Sequence, residues 1–268
     1  MHPDIALYID KWRNPDDFPG YSYFFYDDAA MDDFLNDKER WEHSFPSLHL
    51  AIQCVNKVHN PTLKADIWRY LVLWEYGGIY ADIDITPTNF TALSIHPDDD
   101  GLFYVENHMG YLAQYFLAVS PRHPLMYYAV HAAVRNMLAV REVRSIYLAK
   151  TTGPGAIVDA MKAFMNNREA GRGIKNGRYV GEGDRSIRVD GLSTDHVPAG
   201  DLVVYRKIKK LVYNEMNMTH YMGFNKNKER VGSCYNVMNA RKTRTGFEYE
   251  GVTVEISDVP GKTPATSK

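Results

Sequence analysis

Lys64-Ala65-Asp66-Ile67-Trp68-Arg69-Tyr70-Leu71-Val72-Leu73-Trp74-Glu75-Tyr76-Gly77-Gly78-Ile79-Tyr80-Ala81-Asp82-Ile83-Asp84-Ile85 is the stretch on which the reading of this chain turns. Leu63, Ile67, Leu71 and Trp74 recur at helical spacing, so a helix is expected over Leu63–Tyr76, opened by Asn60-Pro61-Thr62. Gly77-Gly78 ends it in the manner of a left-handed C-terminal cap. Ile79–Ile85 then reads as a strand. Alternation puts Ile79, Ala81, Ile83 and Ile85 on an inward face and Tyr80, Asp82 and Asp84 on the other, with the two acidic Cα atoms roughly 6.6 Å apart. Like charges at that spacing repel. A divalent cation relieves the repulsion, and carboxylate oxygens suit Mg²⁺ or Mn²⁺, ions that also hold a diphosphate. On the helix, Asp66 and Arg69 are spaced i, i+3 and share a face. Such a pair offers a fixed acceptor and a forked donor to sugar hydroxyls. The double glycine brings helix end and strand together, so Asp66, Arg69, Tyr80, Asp82 and Asp84 are expected to converge on one pocket.

Working outward, Tyr21–Tyr26 reads as a buried strand, Ile5–Trp12 as a helix, and residues 31–59 as two helical pieces broken near Pro46. Further strands are expected at Gly101–Val105, Tyr115–Val119, Asp201–Tyr205 and Gly251–Ile256. Helices are expected at Leu125–Val140 and Pro154–Asn167, and a long loop at Asn166–Arg188. The alternation of strands and helices favours an α/β fold with a mostly parallel central sheet. Residues 1–259 form one domain on this reading, and 260–268 a frayed tail.

The chain has 268 residues, with 31 Lys+Arg against 33 Asp+Glu and a net charge of −2. That disfavours a nucleic-acid protein driven by bulk positive charge. No apolar run is long enough to span a bilayer. Asp4, Asp10 and Lys11 interrupt the N-terminus, which is not that of a secretory signal. Two cysteines, Cys54 and Cys234, are too few for a disulfide framework or a zinc site by themselves. Tyrosine stands out at 19, against 11 Phe and 4 Trp. Tyrosine-rich surfaces suit polar, ring-shaped ligands, although many such residues are core with a bonded hydroxyl.

Asp66-x-x-Arg69-Tyr70 followed by Gly77-Gly78-Ile79-Tyr80-x-Asp82-x-Asp84 resembles the sugar-binding region of glycosyltransferase family 32. Gln114–Pro124, Thr152-Gly153-Pro154 and Met218-Thr219-His220 continue the resemblance more loosely. It implies a GT-A-like fold and a retaining hexose transfer that depends on Mn²⁺ or Mg²⁺. Mannose is the favoured sugar, then glucose or galactose, moved from a GDP- or UDP-hexose donor to a glycan or glycolipid. By position, Asp82 and Asp84 would be the catalytic and metal-holding acids, with His220 beside the metal and diphosphate. Asp66, Arg69, Tyr80, Asp82 and Gln114 would line the donor site. Thr152 and Pro154 read either as a helix cap or as a contact to donor or acceptor. Arg168, Arg172, Lys175, Arg178 and Arg185 read either as help for the leaving diphosphate or as a solvated loop.

The family normally opens with a strand that helps bind the base. Here Ile5–Trp12 looks like the helix after it, so the first strand is expected to be missing. Relatives act in the Golgi, often through an N-terminal membrane anchor, or at the cytoplasmic face in bacteria. Asn89-Phe90-Thr91 and Asn217-Met218-Thr219 are glycosylation sequons. Two other classes stay open. Asp82-Ile83-Asp84-Ile85-Thr86 also fits the opening motif of haloacid-dehalogenase-type phosphatases, in which the first Asp takes the phosphoryl group. A catalytically silent sugar-nucleotide-binding module is the third.

Overall fold

The computed structural model describes residues 3–58, 60–106, 110–141, 145–171, 173–191, 202–204, 234–244, 246–249 and 251–255. Helices α1 (Pro3–Trp12), α2 (Asp28–Asn36), α3 (Lys38–Ser44) and α4 (His49–Cys54) precede the long α5 (Pro61–Tyr76). Asn60 caps α5: its side chain accepts from Leu63 N at 3.0 Å, and Pro61 fills the first turn, where no N–H is needed. Leu63, Ile67 and Leu71 are buried, as the helical stripe requires. Gly77 ends the helix at φ +65°, and its N–H returns to Leu73 O at 3.0 Å. A Cβ at Gly77 would lie 2.5 Å from Pro121 N, so the close approach of helix end to sheet needs glycine.

Five strands form the central sheet: β1 (Gly78–Ala81), β3 (Gly101–Glu106), β4 (Tyr111–Val119), β5 (Gly177–Val180) and β6 (Ser186–Gly191). The order is β1-β4-β3-β6-β5. Only β3 with β6 is parallel; β1–β4, β3–β4 and β5–β6 are antiparallel. The fold is therefore mixed α/β, and the expected mostly parallel sheet is corrected. The reason is local: β3 turns back directly into β4, and β5 and β6 form a hairpin, so few helical crossovers are needed. Helices α6 (Pro124–Ala139), α7 (Ser145–Thr151) and α8 (Pro154–Phe164) follow β4, and α5, α6 and α8 bury one apolar cluster with the sheet. A second, smaller cluster of Phe18, Ile85, Phe90, Tyr104 and Phe116 takes in Trp12 of α1. Small pairings complete the described structure: β2 (Ile85–Pro87) with β7 (Leu202–Val204), and β8 (Arg241–Lys242), β9 (Gly246–Tyr249) and β10 (Val252–Glu255) in one sheet.

Several expectations change. Tyr21–Tyr26 is not a buried strand: no described strand pairs with it, and Tyr21, Tyr23, Phe24 and Phe25 are exposed. The supposed loop Asn166–Arg188 contains β5 and the start of β6. Cys54 and Cys234 are bonded to each other, joining α4 to the short helix Cys234–Val237 across a sequence separation of 180. Residues 260–268 and His220, Arg172 and Asn217 lie outside the described residues.

Candidate active site

The expected single strand Ile79–Ile85 is broken at the acidic pair. Asp82 N still bonds Tyr115 O at 2.8 Å, continuing the β1–β4 ladder by one residue. Then Ile85 N bonds Asp82 O at 2.9 Å and closes a turn over Asp82–Ile85. Asp82 thus opens the turn and Asp84 sits with Ile83 at its tip, so the two acids do not alternate along a pleat. Ile83, expected inside, is 38% exposed, while Asp84 is buried. Trp12 Nε1 pins the far side of the turn by donating to Ile85 O at 3.0 Å.

Helix α5 and strand β1 bring four of the expected residues together. Arg69 Nη2 lies 3.2 Å from Asp66 Oδ1, and Arg69 Nη1 lies 3.5 Å from Asp82 Oδ1. Tyr80 donates its hydroxyl to that same Asp82 oxygen at 2.6 Å. The guanidinium also sits over the Tyr80 ring, 4.8 Å from its centroid. Arg69 is thus a bridge between two carboxylates, and its charge makes their approach tolerable. Asp66 and Arg69 are nearly closed to solvent, whereas the Asp82 side chain is 32% exposed. Asp82 is accordingly the member that a ligand meets first.

The electrostatics follow from burial. Desolvation pushes the Asp66 carboxyl up to about 6, and the nearby Asp82 charge adds to it; Arg69 and the Thr152 hydrogen bond pull against it. Burial works against the Arg69 charge, but Tyr80, Asp82 and Asp66 outweigh it and hold the guanidinium firmly protonated. The Tyr80 hydroxyl is pushed well up by burial and by Asp82, despite Arg69 opposite, so it remains a donor.

Gln114 arrives by a different route from the one expected. Its backbone carbonyl accepts from Arg69 Nη1 at 2.9 Å. Its amide nitrogen donates to Thr152 O at 3.2 Å and contacts the Tyr70 hydroxyl, which itself donates to Thr152 O at 2.8 Å. Thr152 is no helix cap: Gly153 holds the N-cap of α8 with no side-chain bond, and the Thr152 hydroxyl donates to Asp66 Oδ2 at 2.7 Å. Tyr70, given no role in the sequence reading, and Thr152, offered there as a cap or as a contact to donor or acceptor, are both members of the cluster. Tyr70 beside Arg69 and the Thr-Gly-Pro turn were the available signals.

Of the basic residues named above, Arg178 is paired with Asp99 at 3.1 Å and Arg185 with Asp100 at 2.8 Å, and Arg188 also pairs with Asp99 at 2.5 Å. These pairs fix the β5–β6 hairpin to the start of β3. Among the described residues, no group of three His, Cys, Asp or Glu side chains is arranged to hold a metal. Asp82 and Asp84 remain as two hard oxygen donors. That set suits an ion whose other positions are filled by a diphosphate and water.

A carboxylate–guanidinium–tyrosine cluster beside a paired-acid turn presents fixed hydrogen-bond acceptors and donors of the kind that suit a polyhydroxylated ligand. Residues 4–101, which contain most of the cluster, match the family described as glycosyltransferase sugar-binding region containing DXD motif. Two curated relatives come from Schizosaccharomyces pombe. "Inositol phosphoceramide mannosyltransferase 1" is 30% identical over 129 residues, covering 44% of this chain and 34% of the relative. "Initiation-specific alpha-1,6-mannosyltransferase" is 27% identical over 188 residues, covering 61% and 45%. The matches thus span between a third and a half of these relatives. A solved structure, "PaToxG Glycosyltransferase", overlaps 60% of this chain and 63% of its own, with a TM-score of 0.41 and 21% identity.

Proposed function

We propose that the protein is a retaining glycosyltransferase of GT-A-like fold that moves a hexose, mannose first and glucose or galactose next, from a GDP- or UDP-sugar to a glycan or glycolipid. The observation that carries this reading is the junction of α5 and β1, where Asp66, Arg69, Tyr80 and Asp82 meet inside the region that matches the DXD sugar-binding family. The mannosyltransferase names of the two yeast relatives support the choice of sugar. Asp82 and Asp84 would hold Mn²⁺ or Mg²⁺. The bound cation supplies Lewis-acid stabilisation of the departing diphosphate. Asp66 and Arg69 orient sugar hydroxyls, as acceptor and donor held in one fixed pair. Tyr80 keeps Asp82 in place and remains protonated throughout. His220 stays a proposal for the diphosphate side.

A phosphatase reading is less well supported. A phosphoryl-accepting carboxylate must be free to attack, and Asp82 Oδ1 is held by the Tyr80 hydroxyl and faced by Arg69. For the compartment we propose the secretory lumen. The buried Cys54–Cys234 bond suits an oxidising environment, and Asn89 of the first sequon is exposed. No helix among the described residues is long and apolar enough to cross a membrane.

The test is a panel of nucleotide sugars with Mn²⁺, read by mass spectrometry of the released nucleotide. Wild-type protein should cleave at least one hexose donor. Asp82→Asn and Asp84→Asn should each lower the rate a hundredfold or more and keep the melting temperature within about 3 °C. Phosphate release from phosphomonoesters, with no donor cleavage, would replace this reading by the phosphatase.

A further inference from the structure

We propose that Thr152 is a positioning residue for the sugar-handling carboxylate Asp66, an inference that rests on the glycosyltransferase reading. Asp66 has two oxygens and two fixed partners. Oδ1 faces Arg69 Nη2 at 3.2 Å, and Oδ2 accepts from Thr152 Oγ1 at 2.7 Å. Arg69 alone would leave the carboxylate free to rotate about its Cβ–Cγ bond; the second bond fixes its plane. The Thr152 hydroxyl is not required by its own backbone neighbourhood, since α8 is capped at Gly153 without any side-chain bond.

Thr152 is itself held from three sides. Its carbonyl accepts from Tyr70 Oη at 2.8 Å and from Gln114 Nε2 at 3.2 Å. The next residue, Gly153, is seated so closely on α7 that a Cβ there would stand 2.7 Å from Ala149 Cα. Tyr70 follows Arg69 in α5, and the Gln114 carbonyl takes the other arm of Arg69 at 2.9 Å. The hydrogen bonds therefore close a circuit: Arg69, Asp66, Thr152, the Gln114 side chain, the Gln114 backbone, and Arg69 again. Thr152 is the point at which α7 and α8 enter that circuit. It touches Asp66 and lies fully buried, so it acts through the carboxylate and not on the donor directly.

The role separates the sugar from the nucleotide. Removing the hydroxyl frees the plane of Asp66 while Asp82 and Asp84, on the β1 side, are untouched. The experiment uses the full chain with Mn²⁺ and whichever nucleotide hexose the wild type cleaves, and compares Thr152→Val with Thr152→Ser. Thr152→Val should lower kcat/KM for donor cleavage about ten- to hundredfold, the range for losing one hydrogen bond to a charged group. The inhibition constant of the matching nucleoside diphosphate should stay within about twofold, and Thr152→Ser should restore kcat/KM to within about threefold of wild type. Where Thr152→Val does not fold, Thr152→Ala must give the same split. Wild-type kcat/KM in Thr152→Val overturns the proposal. So does equal loss of turnover and diphosphate binding, or a Thr152→Ser variant as poor as Thr152→Val, since packing alone would then explain the effect. Silence of the wild-type chain with every donor overturns the glycosyltransferase reading itself, and this inference with it.

Discussion

Asp66 shows how one buried side chain sets a pH dependence. Its carboxyl is held at about 6, above the usual 3.8, chiefly by desolvation. The folded state therefore keeps a proton that the unfolded chain has released between about pH 4 and 6. Stability contributed by this group is present below pH 4 and lost as pH rises through 6, by about 3 kcal/mol. Urea titrations should show Asp66→Asn gaining about that much relative to wild type between pH 4 and 7. On the proposed reading, in which the ionised Asp66 accepts from sugar hydroxyls, donor cleavage should climb to a plateau above pH 6 in the wild type. The residue types of the site were readable in the sequence, because Asp66, Arg69, Tyr80 and Asp82 lie close together along the chain. What was not readable was who bonds to whom. Thr152 reaches Asp66 across 86 residues, and Gln114 gives Arg69 a backbone oxygen, which no side-chain pattern encodes. The tyrosine surplus divides likewise: Tyr80 and Tyr70 belong to the site, whereas Tyr128 and Tyr249 are core residues.

At the level of elements, His123 joins α6 to the sheet. Its Nδ1 accepts from Leu125 N at 3.1 Å and caps α6, which leaves Nε2–H to face Ser186 O of β6 at 3.4 Å. Only the neutral ring can make both contacts. Burial, with Arg185 adding, lowers its pKa to about 4. A depressed histidine contributes stability above its unfolded value of 6.5, and loses it as pH falls through 4, by about 3 kcal/mol. His123→Asn keeps a capping acceptor and removes the titration. Its urea midpoint should fall less steeply than wild type's from pH 6.5 to 4. Helix α5 was legible from its apolar periodicity and its Asn60-Pro61 start, and α1, α6 and α8 were expected near their observed places. The strand at Ile79–Ile85 was over-extended, because alternation cannot reveal a turn closed by Ile85 N and Asp82 O. Tyr21–Tyr26 misled for a related reason: an aromatic run has strand propensity, but a strand also needs a neighbour to bond. Sheet direction was missed because the β3–β4 and β5–β6 hairpins interrupt the alternation of strand and helix.

For the molecule as a whole, the covalent link between Cys54 and Cys234 governs how far the parts can separate. Both sulfurs are buried, and the bond spans most of the chain. Closing so long a loop restricts the unfolded state strongly, so Cys54→Ala with Cys234→Ala should cost about 2–5 kcal/mol in denaturant titrations. Donor cleavage measured well below the new midpoint should change little, since neither sulfur bonds to Asp66, Arg69 or Asp82. The same bond has a topological result. Asp66, Arg69, Tyr80, Asp82, Asp84, Gln114 and Thr152 all lie inside the covalent ring that it closes. A single peptide-bond cut anywhere between Cys54 and Cys234 opens that ring without dividing the molecule. The two pieces travel together on a gel until a reductant is added; for a cut between Asp84 and Thr152, only then do the acids Asp66, Asp82 and Asp84 and the supporting threonine become separable chains.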